Sequence, residues 1–157
     1  MAKVFIFNFV FAVALIFQIE GRQSMDYKNL NRDFIERVFH EVIKDLKANE
    51  QTISQYFSPH YIQYVDGHQL NYNDFVQHMI VQKSLLDSVD VSIEHCVVEG
   101  NAICTVHKVD AIKKNGEKIA VKVIAYFEVD NGKIILCDEL TYLLTGHEKD
   151  QNIGSVK

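Results

Sequence analysis

Disulfide chemistry has little material in this sequence. Its 157 residues contain three cysteines, Cys96, Cys104 and Cys137. They form no CxxC pair and no Cys/His metal spacing, and an odd count of sparse thiols is unlike a disulfide framework. They read as buried free thiols. Cationic charge is also short: 16 Lys and Arg against 21 Asp and Glu leave a net charge of -5. Without a basic stripe or an arginine cluster, the electrostatic footprint of a nucleic-acid binder is missing, and no nucleic-acid partner is expected. The sequence has no P-loop, Rossmann glycine fingerprint, nucleophile elbow or HExxH, which removes nucleotide-dependent, serine-hydrolase and zincin readings. No local cluster of His, Cys and carboxylate has metal-ligand spacing, so no metal and no other cofactor is expected.

Long apolar runs are confined to one place. VFIFNFVFAVALIFQI, residues 4 to 19, follows a single lysine and holds five of the ten phenylalanines. The run is short for a membrane-spanning helix of about 20 residues and is similar to the hydrophobic region of a secretory signal. Its cleavage site is poor, because Ala12 and Ala14 lie inside the run and bulky Ile19 precedes Gly21. The alternative is a translation start at Met25. Residues 1–24 are therefore set aside as a signal-like segment or a spurious extension, and 25–157 are expected to form a single domain. A start at Met25 implies a cytoplasmic protein, and the lack of paired cysteines favours that; a working signal implies a secreted or membrane-associated one.

Within that domain, Leu30, Phe34, Val38, Val42 and Leu46 recur every fourth residue, which predicts a helix from Met25 to Ala48 with one buried face. NEQTISQYF, 49 to 57, predicts a shorter helix, and the only proline, Pro59, disfavours helix at Ser58. Tyr61–Val65 reads as a strand, Asp66-Gly67 as a turn, and Asn71 or Asn73 as the cap of a third helix reaching about Leu86. After Ser88 the period becomes two. Turns at Glu99-Gly100-Asn101, Asn115-Gly116 and Asn131-Gly132 then mark four successive antiparallel strands. The class is α+β.

If every turn is a two-residue loop, residue i pairs with 201 − i, then 231 − i, then 263 − i. One face then carries Val91, His95, Val106, Val123, Ala125, Phe127, Asp138 and Leu140, and being the more apolar it should lie under the helices. The other carries Glu94, Cys96, Thr105, His107, Ile124 and Glu139, and its mixed character suits an exposed or homodimer-forming surface. A one-residue error in any loop exchanges the faces beyond it. In that event Glu94, His107 and Glu139 become the enclosed cluster.

This order of elements resembles the nuclear transport factor two-like fold over about residues 26 to 145. YFSPHYIQYVDG, 56 to 67, is similar to the early strand-and-turn segment of its SnoaL-like members, and DNGKIILCDELT, 130 to 141, to their closing hairpin. The resemblance implies a cone-shaped domain, with about three N-terminal helices packed on a curved, mainly antiparallel sheet around one pocket. It implies a small hydrophobic molecule as ligand and cofactor-free acid/base chemistry of the cyclase, dehydratase or isomerase type, or a binding or dimeric assembly protein without turnover. Fold does not select among these. In ketosteroid isomerases a carboxylate base stands three residues before the glycine of this turn, where this chain has Tyr64, and the oxyanion-binding aspartate falls near Ala125. Isomerase chemistry of that type is disfavoured, since a phenol is a poor base at neutral pH.

The candidate catalytic residues are Asp138, a carboxylate expected on an apolar face; His78, between inward positions of the third helix; and His95, in one row with Val106, Ala125 and Asp138. Tyr56, Tyr61, Tyr64 and Phe127 are the candidate ligand-binding residues. Each has a plainer reading: Asp138 as a rim hydrogen-bonder, His78 as a helix-surface histidine, the rings as core or lip. Asp66 and His68 read as turn residues.

Overall fold

A computed structural model describes residues 30–147; the signal-like segment and Met25 lie outside the described residues. Helix α1 spans Arg32–Val38 and is started by Asn31, whose side chain accepts from the Phe34 N–H at 3.1 Å. The helical path continues as a π-helical segment, Phe39–Lys44, and stops at Asp45, whose N–H reaches back to the His40 carbonyl at 3.2 Å. The apolar stripe expected to Ala48 thus ends earlier, in a wider turn. Helix α2, Glu50–Tyr56, is capped by Asn49. Strand β1, Phe57–Val65, begins four residues before the expected Tyr61 and carries Pro59. Its pairing with the last strand is irregular between Phe57 and Ile62, where proline has no N–H to give.

Asp66 and Gly67, both at positive φ (49° and 82°), make a two-residue hairpin into β2, His68–Asn71. That strand was not anticipated, because HQLN buries only Leu70. Asn71 then caps α3, Tyr72–Leu85, in a capping box with Asp74. Four long strands complete the chain: β3, Leu86–Glu99; β4, Ala102–Lys113; β5, Lys118–Asp130; and β6, Lys133–Thr145. They form a six-stranded sheet in the order β2-β1-β6-β5-β4-β3, antiparallel except where β1 runs parallel to β6. The sheet is curved and open, with the three helices packed on it, an α+β cone.

The register differs from the two-residue-loop expectation at three places that set the faces at the middle of the sheet, with two further shifts near strand ends, at Asp87 in β3 and Leu144 in β6. Near its turn β3 pairs with β4 as expected, Val97 opposite Cys104, but an extra residue at Glu94 then puts Ile93 opposite His107. Between β4 and β5 the loop has three residues, Lys114 to Gly116, with Gly116 at φ 84° and the Lys113 N–H bonded to the Glu117 carbonyl. Thr105, not Val106, therefore faces Ala125. Finally Ile135 is extra in β6, so that Ala125 is paired with Glu139 rather than Asp138. The concave, core-facing side carries Ile103, Thr105 and His107 on β4, Val121 to Val129 by alternation on β5, and Ile134 and Cys137 on β6. For β5 the expected face is the inner one. For β4, the end of β3 and β6 beyond its bulge, the faces are exchanged.

Cysteine burial follows the same slip: Cys137 is buried and Cys96 partly so, but Cys104 is exposed instead of in the core. The core itself joins Ile35, Val38 and Val42 of the first helical stretch to Ile53, Phe57, Tyr61, Phe75 and the concave side chains of β4 to β6. Lys83 of α3 is buried with them and donates to the Val42 carbonyl at 2.6 Å and to the Asp45 carbonyl, taking up acceptors that the helix end leaves without intrahelical partners.

Candidate functional site

Between the concave face and the helices lies a cavity of about 150 Å³. The π-helical segment contributes Phe39 and Ile43. Helix α3 contributes Phe75, His78, Met79 and Gln82, with His78 and Gln82 one turn apart on the same side. Strands β1 and β6 contribute Phe57, Tyr61, Gln63, Cys137, Glu139 and Thr141, and β4 and β5 add His107, Val123 and Phe127. The lining is mainly apolar and aromatic with a few converging polar groups, the usual make-up of a small-molecule site.

Glu139 is the one carboxylate among the lining residues. Gln63 Nε2 donates to its Oε1 at 2.7 Å, while Oε2 has only the Cys137 thiol at 3.8 Å. Burial pushes the Glu139 carboxyl up to about 7, helped by the negative charges of Asp66 and Asp138 and opposed by the hydrogen bond from Gln63. The Gln63 amide oxygen is buried and has no partner among the described residues. An acceptor left unmade in this way costs about 1–3 kcal/mol.

Asp66 fixes the neighbouring turn against β6. Its N–H donates to the Glu139 carbonyl at 3.1 Å, and its carboxylate accepts from the Thr141 N–H at 2.8 Å and from the Thr141 hydroxyl. The turn role expected for Asp66 therefore extends to holding two residues of the cavity wall.

Across the cavity, His107 contacts the Thr105 hydroxyl through Nδ1 at 2.9 Å, and its ring lies 4.7 Å from that of Phe39. Burial pushes His107 down to about 4, so it is a neutral imidazole at physiological pH. Burial also pushes the Tyr61 phenol and the Cys137 thiol well above their ordinary values, leaving both protonated. Among the described residues no group of three or more His, Cys, Asp and Glu could hold a metal ion.

Of the residues singled out from sequence, His78, Tyr61 and Phe127 line the cavity. Asp138 does not. It is exposed on the convex face, opposite Tyr126 and Tyr64, because the Ile135 bulge turned it outward. His95 is likewise exposed, one residue beyond the Glu94 bulge. The row that contains it is His95, Val106, Ile124 and Leu140.

Tyr56 is partly buried and donates to Glu41 at 2.7 Å outside the lining, and Tyr64 is 38% exposed on the convex side. The isomerase-type base position thus faces away from the cavity, and its neighbour Gln63 faces in. The alternative cluster is realised in part: His107 and Glu139 are enclosed, whereas Glu94 stays outside in an ion pair with Lys122 at 3.0 Å. Gln63 and Gln82 carried no sequence signal beyond their strand and helix positions.

Residues 32–136 match the model of the SnoaL-like domain family. The chain is 35% identical over 127 residues to an uncharacterized protein of Schizosaccharomyces pombe, covering 81% of this chain and 97% of that protein. Its fold is similar to an LEH-like epoxide hydrolase of Mycobacterium tuberculosis (TM-score 0.58, 16% identity, 70% of this chain and 80% of that one). A candidate SnoaL-like polyketide cyclase from Jannaschia sp. CCS1 is similar to the same degree (TM-score 0.58, 13% identity, 69% and 83%). At such identities the likeness is one of fold. The chain belongs to the SnoaL-like domain family, on the nuclear transport factor two-like fold.

Proposed function

We propose that this SnoaL-like domain binds a small, mainly apolar molecule in the cavity and carries out a cofactor-free proton transfer on it, with Glu139 as the acid/base group. The supporting observation is the Glu139 carboxyl itself, enclosed among apolar side chains, poised near neutrality and with Oε2 facing only a thiol. A group that titrates near the working pH can both accept and return a proton. Gln63 holds Oε1 and so fixes which oxygen reacts. Neutral His107, on another wall, is placed to hydrogen-bond the oxygen on which charge develops, and His78 lines the helix side of the same cavity. The activities for which the two structural neighbours are named, epoxide hydrolysis and polyketide cyclisation, are acid/base reactions within reach of such a site. Asp138 and His95 have no part in this reading, because both stand on the convex face.

The test is a turnover screen with small epoxides and β-hydroxy carbonyl compounds. Whatever substrate is found, Glu139→Gln should lower kcat by roughly 10²- to 10⁴-fold, with Asp138→Asn and His95→Ala unchanged. A Glu139→Gln protein of undiminished activity overturns the assignment.

A second reading concerns assembly. The convex face exposes Val97, Ile124, Leu140 and Tyr142, each at 58% or more. Ile124 lies directly between Val106 and Leu140 in the ladder. We propose that this face joins two copies of the chain; a protein that sediments only as a monomer sinks that reading.

A further inference from the structure

We infer that the cavity selects a single-ring molecule that carries a hydroxyl group and no negative charge, with the hydroxyl donated to the Gln63–Glu139 end. This rests on the cavity being the ligand site and adds what that site can recognise. Three observations carry it.

The first is charge. Among the described residues the lining contains no lysine, arginine or aspartate, and Glu139 is its one carboxylate. A carboxylate or phosphate ligand would meet no compensating cation and would lie against a group that itself becomes negative.

The second is the direction of the hydrogen bonds left to make at the β1–β6 end. Gln63 Nε2 is spent on Glu139, the Tyr61 hydroxyl on the Cys137 sulfur, the Cys137 thiol points to Glu139, and the Thr141 hydroxyl is spent on Asp66. What remains are acceptors: Glu139 Oε2, which has only the weak thiol contact, and the partnerless Gln63 Oε1. The strands that bear them are adjacent, with Gln63 opposite Cys137 and Val65 opposite Glu139, so the acceptors share one end of the cavity. An end rich in acceptors and poor in free donors is completed by a ligand donor, not by a ligand carbonyl.

The third is size. The volume of about 150 Å³ is ringed by Phe39, Phe57, Tyr61, Phe75 and Phe127. An apolar cavity of roughly that volume accommodates a benzene-sized guest. A fused polycyclic skeleton exceeds it.

The experiment measures binding of phenol, toluene, benzoate and 1-naphthol to the full chain by ligand-observed NMR and calorimetry at pH 8, where the Glu139 carboxyl is mostly ionised and both its oxygens accept. Phenol should bind roughly ten-fold more tightly than toluene, the effect of one good hydrogen bond. Benzoate and 1-naphthol should bind more weakly than phenol. Glu139→Met should bring phenol down to the toluene level while toluene binding persists.

Toluene equal to phenol, or benzoate or naphthol binding best, overturns the proposed ligand class but leaves the cavity as a ligand site. Failure of every probe to bind overturns the ligand class together with the cavity reading. Should the Met variant not fold, the native panel decides by itself.

Discussion

Glu139 and His107 face one cavity from strands on either side of β5, and burial displaces them in opposite directions. Glu139 rises from 4.5 to about 7, so the folded protein holds its proton more tightly than the unfolded chain does. Its contribution to stability is present at low pH and is lost as pH rises through about 7. His107 falls from 6.5 to about 4, so its contribution is present above 6.5 and is lost as pH drops towards about 4. Each displacement is worth roughly 3 kcal/mol.

Where the two windows overlap, between about 4.5 and 6.5, one group's gain offsets the other's loss, and this pair leaves stability nearly flat. Glu139→Gln should expose His107 alone, giving stability that climbs with pH across that window. His107→Leu should expose Glu139 alone, giving stability that declines with pH. Urea denaturation at a series of pH values measures both slopes, and parallel profiles for the native protein and both variants would contradict the pairing. Neither displacement is legible in sequence. Both depend on which face each strand turns inward.

At the scale of elements, the roof of the cavity depends on a cross-link between helices. Lys83, one residue beyond Gln82, ties α3 to the end of the π-helical segment through the Val42 and Asp45 carbonyls, and burial lowers its pKa. Lys83→Met keeps the length of the side chain and strands two acceptors. A loss of roughly 1–3 kcal/mol is expected, partly offset because no charge is then buried. Thermal denaturation checks the stability. Hydrogen exchange should show the loss centred on residues 39–45, and protection unchanged there would argue against the clamp.

The elements themselves were largely legible. Asn71 marked a helix start, the Gly-containing turns marked strand ends, and four-residue and two-residue periods separated helices from sheet, although the Asn31 cap inside the first expected helix went unread. Register was not legible, because Asn115-Gly116 serves equally well as a two-residue turn or as the end of a three-residue loop whose last residue is left-handed. The bulges at Glu94 and Ile135 interrupt strands whose β-branched and apolar residues read the same on both faces. Pattern arithmetic is strongest where a strand is apolar on one side only, and β5 is the strand it oriented correctly.

For the whole molecule, the two faces of the sheet divide two proposed tasks, ligand chemistry inside the cone and association outside it. Ile124→Lys places a charge in the middle of the exposed apolar row without touching any cavity-lining residue. It should convert a sedimenting dimer to a monomer while phenol binding stays within about two-fold, an independence expected of sites on opposite faces with no shared partner. Loss of ligand binding along with the dimer would show instead that the cavity needs the second copy.

The same division gives the Ile135 bulge an evolutionary meaning. Asp138 and Glu139 are sequence neighbours, one on each side of the sheet, and the single extra residue before them decides which carboxylate the interior receives. Within such a lineage, gain or loss of one codon in this hairpin exchanges an interior acid for an exterior one with no change in the residues themselves. Comparing relatives column by column would then pair residues that do different work.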